Sequence, residues 1–535
     1  MGKILVVIYL YGVLMTKETE RSISNIHKGV GIIFIGIIIS NIIGLLTQIL
    51  FGRLLGPENY GLFNLGLSLI TMVGTLIPLG LSTGLTQYIP HNMAQKKYNN
   101  VNEAVNFSLR IPLLIGTLIA CIFFIFSDQI AVNIFHNLKF GLVIKIFSIA
   151  LPFWALHTLS GSLMQSFKKP KFYVCIENIL MPVTQLLTFI IIYFVGYALF
   201  GAIIGFILSA SFASIAYLYI YRTKLRSLFQ ETTSSDNINK TTIHKDLFSI
   251  SLPLFLAGFT FLFMQYTDKI LLGIYMSVTD VGIYAAALSI ASLMLVIYNA
   301  FSFNFRPVLA EYFALNDFNS MRQIYKTVTK WIFLITFPLL IYIVFFSKDI
   351  LVLIYGNSFT SGYLVLAILA IGISLNGLTG LSGETLISMR LSKLNLFSEI
   401  VGSSSNVILN LMLIPFLGIL GAALGTSLSL LFRNGASLFF VYKKLNVNIY
   451  SRVYIKIGLV SILSFITIFS IIRVLNLSYG FIIALPSFLI IYLILSIFTG
   501  CLDNQDKNLL KKIIITLFKY IKLDIKNFKI ENKEK

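Results

Sequence analysis

Apolar runs of twenty or more residues follow one another along most of this chain, separated by short breaks that hold most of its charges. A hydrocarbon core about 30 Å thick needs about 20 such residues per helix. The pattern therefore predicts membrane-spanning helices. We place fourteen, at 29–52, 61–89, 104–126, 140–165, 172–194, 198–221, 248–272, 281–304, 328–346, 361–388, 396–416, 419–442, 454–474 and 478–501. An earlier apolar stretch, Ile4–Met15, is too short to span, and no clear small-residue cleavage site follows it. Translation is expected to start at Met15 rather than Met1. After residue 502, Leu510, Ile513, Ile514, Leu517, Ile521, Ile525 and Phe528 share one helical face, and Lys512, Lys519, Lys522, Lys526 and Lys529 the other. This spacing predicts an amphipathic helix on an anionic leaflet, with a disordered basic tail as the alternative.

Composition narrows the class further. Of 535 residues, 57% are hydrophobic and 12% charged. A soluble protein of this size could not clothe its surface with so little charge. Cys121, Cys175 and Cys501 lie in apolar stretches and read as small buried hydrophobes, not a disulfide framework. The five histidines show no metal-ligand spacing, and no Walker A sequence is present, so no metal and no cofactor are expected.

The net charge of +20 suggests nucleic acid only until it is mapped. With 16–28 placed in the cytoplasm, the loops on that side and the tail hold 32 of the 41 basic residues, and the opposite side holds Arg53, Lys139, Lys348 and Arg473. That asymmetry is the positive-inside bias. It predicts a multi-pass cell-membrane protein with both termini cytoplasmic and no nucleic-acid partner.

The chain also resembles itself at an offset of 220 to 222. Tyr60-Gly61-Leu62-Phe63 matches Val281-Gly282-Ile283-Tyr284, Phe126-Ser127 matches Phe346-Ser347, Leu159-Ser160-Gly161 matches Leu381-Ser382-Gly383, and Gly201-Ala202 matches Gly421-Ala422. The offset contains six helices, an even number, so both copies enter the membrane in the same direction. The expected layout is a leader and cytoplasmic segment (1–28), an N-lobe (29–221), a linker (222–247), a C-lobe (248–442), two extra helices (443–501) and a basic tail (502–535). The fold class is thus an all-α polytopic membrane protein with about 14 helices: two parallel-repeat six-helix lobes plus two more. Two lobes about one axis imply a central cavity open to either side.

Charges inside hydrocarbon are costly, about 2.5–3.5 kcal/mol each on insertion scales, so those present are informative. Arg53, Arg110, Lys269, Arg306 and Arg433 are candidates to line a cationic cavity, with snorkelling or structural ion pairs as the alternative. Asn41, Gln48 and Asn64 join them from polar faces of the first two helices. The accompanying Ser and Thr stripes suit helix packing as well as cavity lining. Glu177, Glu384 and Glu399 lie near cytoplasmic ends, where they can reach water. Asp268 is either a cation's partner or an ion-coupling residue. No catalytic residue is assigned.

Two motifs carry a family resemblance. Gly52-Arg53-Leu54-Leu55-Gly56-Pro57-Glu58-Asn59-Tyr60-Gly61-Leu62-Phe63 looks like a helix 1–2 junction, where Gly56 and Pro57 stop one helix and Gly61 admits the next. Asp268-Lys269-Ile270-Leu271-Leu272-Gly273, then Asp280-Val281-Gly282-Ile283-Tyr284-Ala285-Ala286-Ala287, looks like a helix 7–8 junction. With the helix count and the repeat, the chain resembles the polysaccharide (O-antigen-type) flippases of the multidrug/oligosaccharidyl-lipid/polysaccharide exporter superfamily, over residues 29 to about 500. The resemblance implies a transporter, not an enzyme. Its cargo would be a lipid-linked oligosaccharide on a polyprenyl phosphate or pyrophosphate, and its partners membrane lipids and glycan-assembly enzymes. A multidrug/cation antiporter of the same superfamily is the first rival. The scarcity of central acids in the first lobe favours an anionic cargo. A polytopic glycan-processing enzyme is the second rival, although the longest external loop, 347–360, holds one acid, Asp349.

Overall fold

The structure is a computed structural model. It describes residues 17–503 apart from 168, 226–239, 448–451 and 476–479, together with Asp506; for 17–39 and most of 253–261 it describes the backbone alone. The Met15 start and the amphipathic tail lie outside the described residues. Within them the chain is helical and contains no strand, an all-α polytopic membrane protein.

Residues up to the 226–239 break form helices α1 (Lys17–Leu76), α2 (Leu81–Ala94), α3 (Tyr98–Ile125), α4 (Leu138–Ser148), α5 (Ala150–Ser166), α6 (Met181–Phe194) and α7 (Ala198–Ile220). Beyond it follow α8 (Lys240–Tyr275), α9 (Val278–Ala291), α10 (Leu293–Ala314), α11 (Phe318–Phe345), α12 (Tyr363–Thr379), α13 (Ser392–Leu417) and α14 (Ile419–Leu445). We refer to these two sets as the first and second halves. Two more, α15 (Arg452–Leu475) and α16 (Gly480–Phe498), complete the long helices among the described residues. The expected linker 222–247 is helical at both described ends, through Leu225 and again from Lys240.

By length and apolarity, ten helices among the described residues can cross a membrane, or eleven if the pair α4 and α5, bent by 46°, is one span. This count differs from the fourteen stretches read from hydropathy because one helix runs on through an expected break, the α4–α5 stretch is bent, and α8 and α14 are not among the ten. Ser40–Ala94 counts once, yet its 55 residues would extend about 80 Å at 1.5 Å per residue, more than twice a hydrocarbon core. The chain must turn within it. Gly56 makes the turn, with φ +70° and ψ 173°, a conformation open to glycine and costly for other residues. Pro57 then starts the next helix directly, as its fixed φ allows. Gly61 is therefore not the helix entry; it serves packing, as shown below.

Local chemistry sets other boundaries. Ser277 and Asp280 form a capping box at the start of α9. At the start of α11, Asp317 accepts from the Ser320 hydroxyl at 2.6 Å and the Ser320 N–H at 3.0 Å. These bonds hold the Asp317 carboxyl below the usual carboxylate range.

The described chain divides into two compact units. The larger is His27–Ile332 with Ile343–Val447, and the smaller includes Phe333–Tyr342, α15 and α16. In the smaller unit the Tyr492 hydroxyl donates to the Leu334 carbonyl at 2.9 Å and the Tyr342 hydroxyl to the Phe481 carbonyl at 2.6 Å. In the larger unit α8 serves both halves. Its start adds Ile243 and Leu247 to a first-half core of Leu81, Leu85, Val101, Leu159 and Tyr217, while its end packs against α13 and α9. Lipid is as apolar as these side chains, so close packing and polar contacts must hold the helices together.

Candidate functional site

Three centres in the larger unit collect most of the residues singled out above. The first is a junction between the two halves, built from the Gly52–Phe63 motif. Arg53 donates from Nε to the Ile354 carbonyl at 2.7 Å and from Nη2 to the Leu353 carbonyl. These carbonyls end the short helix Ser347–Tyr355, where unpaired oxygens attract a cation. The Tyr60 hydroxyl donates to Gln48 at 2.7 Å, and its ring faces Tyr355 and Phe359. A Cβ on Gly61 would lie 1.7 Å from the Val278 carbonyl oxygen, and one on Gly282 would lie 2.0 Å from that of Pro57. Backbone meets backbone here, and no side chain would fit. Arg53 thus joins the two halves at this end, while Gln48 bonds within α1.

The second centre surrounds Asp268 on α8, which is buried. Its carboxylate accepts from the Tyr284 hydroxyl at 2.6 Å, the Thr426 hydroxyl at 2.7 Å and the Asn410 amide at 2.8 Å. All its direct partners among the described residues are neutral. The side-chain oxygens of Asn406 and Asn410 are buried there without a hydrogen-bond partner. Lys269 makes no ion pair or hydrogen bond among the described residues, consistent with the roughly 100° between successive helical positions. Sequence reasoning found Asp268 but not its ring of donors. Asn406, Asn410 and Thr426 are ordinary polar residues until the helices are assembled.

The third centre is a charged cluster on α10, α13, α14 and the short helix Ser382–Ser388. Arg306 donates from Nε to Glu384, and Arg433 lies 3.8 Å from Glu399. Arg433 and Asn434 both donate to the Asn376 side chain, at 3.3 and 3.1 Å. The Tyr298 hydroxyl lies within electrostatic range of all four charges. The structure thus brings Arg306 and Arg433 together, already partnered by carboxylates. The expectation that Glu384 and Glu399 simply reach water missed this pairing.

The remaining candidates stay apart from this cluster. Arg110 is exposed midway along α3, one turn beyond Phe107, whose ring stacks on His244 of α8 at 3.7 Å. It has no partner among the described residues. Asn41 is exposed, and Asn64 is buried with its amide bonded to the Tyr60 carbonyl of its own helix. Ser68 and Thr71 likewise bond to carbonyls of α1, the packing use of such hydroxyls. In the first half, His157 bonds to Glu177, a pairing that scattered histidines and a near-terminal glutamate did not suggest.

Residues 26–313 match the polysaccharide biosynthesis protein family. The chain belongs to that family. Residues 253–412 also match the MatE family. Among curated relatives, the probable flippase AglR of Haloferax volcanii is 31% identical over 178 residues, 31% of this chain and 35% of that protein. The lipid II flippase MurJ of Bacillus subtilis is 20% identical over 76% of this chain and 80% of its own length. A solved structure of lipid II flippase MurJ in an inward closed conformation aligns with a TM-score of 0.68 at 17% identity, covering 87% of this chain and 98% of that one. The fold of this family member is therefore shared with that transporter.

Proposed function

We propose that this protein is a flippase that carries a lipid-linked oligosaccharide to the outer leaflet of the cell membrane. The observation that carries the reading is family membership, together with relatives named as flippases that match over 31% and 76% of this chain. The Arg306 and Arg433 cluster suits such a cargo. A phosphate or pyrophosphate headgroup would compete with Glu384 and Glu399 for two arginines, and guanidinium binds either anion through paired N–H groups. The lipid tail would remain in the bilayer. An inside-negative potential favours outward movement of the anion by about 2.3 kcal/mol per charge per 100 mV.

The proposed cycle is alternating access between two six-helix lobes, with the junction at Gly61 and Gly282 as the outer gate and both termini cytoplasmic. Asp268 is the ion-coupling residue in this proposal. One carboxylate beside the free oxygens of Asn406 and Asn410 offers a small monovalent cation a hard-oxygen site. Glycan-assembly enzymes would supply the substrate on the cytoplasmic side.

The test is a proteoliposome assay with a fluorescent polyprenyl-pyrophosphate sugar, comparing wild type with an Arg306→Gln/Arg433→Gln variant. Wild-type movement across the bilayer, lost in a folded variant, is the expected result. A cation antiporter is the second reading, favoured by the MatE match over 253–412. Ion-driven efflux of an organic cation, with no lipid movement, would establish it and overturn the flippase.

A further inference from the structure

The charged cluster of the second half holds more hydrogen-bond acceptors than donors to meet them. Arg306 donates to Glu384, and Arg433 donates to the side chains of Asn376 and Asn434. Glu399 reaches Arg433 only at 3.8 Å and accepts no hydrogen bond among the described residues. Asn395, one turn before Glu399 on α13, has its side-chain oxygen buried there without a partner among the described residues. Glu384 accepts the Arg306 bond alone, although an ionised carboxylate offers about four lone-pair sites. Acceptors without donors are costly away from water, so this surplus marks what a ligand would bring.

The surrounding helices hold these groups in place. The short helix Ser382–Ser388 packs on α10, α13 and α14. Its Ser388 hydroxyl donates to the Arg306 carbonyl at 3.2 Å. A Cβ on Gly402 would lie 2.7 Å from the Arg433 Cβ, so α13 and α14 meet closely beside the pair. The cluster is still open, with the side chain of Arg306 52% exposed and that of Glu399 27%. Charged groups face hydrocarbon at high cost, so this opening is towards water.

The cargo proposed above carries two chemistries at its head. Its phosphate oxygens are acceptors and suit the guanidinium groups. Once a phosphate takes Arg306 and Arg433, Glu384 and Glu399 lose their cations and stand beside an anion. A charge left unpaired in this way is strongly unfavourable. Sugar hydroxyls are the donors such a cargo has, and two neighbouring hydroxyls can donate to the two oxygens of one carboxylate. A glycosylated lipid therefore satisfies both the arginines and the carboxylates, whereas a carrier without sugar satisfies the arginines alone. Sites built to bond a hydroxyl reject analogues that lack it.

We propose that Glu384, Glu399 and Asn395 form a sugar-hydroxyl subsite beside the phosphate-binding arginines, through which the protein accepts glycosylated lipid and rejects a carrier without sugar. The selectivity in transport rests on the flippase reading; the preference in binding is measured without it.

Two probes test the subsite: citronellyl pyrophosphate esterified at its terminal phosphate with glucose, and the same compound esterified with methanol. They carry equal charge and differ in hydroxyl groups. The purified wild-type protein is expected to bind the glucose ester at least about tenfold more tightly than the methyl ester. Glu399→Gln replaces the carboxylate with a neutral amide. It should tighten binding of the methyl ester at least about threefold and bring the two esters within about threefold of each other. In proteoliposomes, polyprenyl versions of the two esters should cross the bilayer at rates differing at least about tenfold with wild type, and at nearly equal rates with Glu399→Gln. Equal wild-type binding of the two esters, or a preference that survives Glu399→Gln, overturns the subsite. A binding preference that Glu399→Gln erases, with both polyprenyl esters moved equally by wild type, overturns selectivity in transport. The same erased preference with neither ester moved supports the subsite and defeats the flippase reading. Should Glu399→Gln not fold, Glu384→Gln decides, and an unchanged preference there overturns the subsite.

Discussion

Gly61 and Gly282 meet the opposite half in matching ways, each close against a carbonyl oxygen, and their contacts Val278 and Pro57 share the same 221-residue offset. Glu177 and Glu399 are separated by nearly the same offset and do not match. The first faces a histidine and the second an arginine. At this junction, contact is between backbones, so any departure on one side would block closure of the other. At the carboxylates the partner is a single side chain, free to differ. The first pair meets through an imidazole ring nitrogen and the second through a guanidinium.

The largest effects are expected where the halves agree. Gly282→Val and Gly61→Val should each disfavour the closed junction by about 1–3 kcal/mol, at least tenfold in population at mid-range. Distances between spin labels beside Gly56 in α1 and at the start of α9 read this shift. Unequal effects from the two variants would break the reciprocity. Next, Asp268→Asn should lower the dependence of flipping on a cation gradient by about tenfold while the protein still folds, a coupling-sized change. Unaltered gradient dependence would remove Asp268 from ion coupling.

Smaller changes test the carboxylate pairs. Arg433→His should give the second half a titratable pair. Flipping by that variant should then rise about threefold as pH falls below about 6.5 and the imidazole regains its charge. A flat profile would show that charge at this position does not govern transport. Least of all, Tyr60→Phe removes one hydrogen bond, to Gln48, and should cost about 0.5–1.5 kcal/mol. A thermal unfolding series would detect this loss of stability.

Several of these features were legible beforehand. The apolar runs, the outer motif and the isolated Asp268 all stand out in one dimension. The motif's use did not: Arg53 reads as a cavity cation but caps a helix about 300 residues away. Gly61 reads as a helix entry but serves a contact with Val278. Arg306 and Arg433 read as free positive charge, and their neutralisation by Glu384 and Glu399 is invisible because each partner lies 34 or more residues distant. His157 looked isolated although its partner Glu177 is only 20 residues away.

What the sequence determined by itself was the solvent of this protein. Hydropathy is a local sum, and twenty apolar residues choose a bilayer wherever they lie in the chain. Only the tertiary structure decided which charges are free, which are paired and which can titrate. Those properties depend on separations of a few ångströms in a medium of low dielectric, between groups that the chain itself keeps far apart.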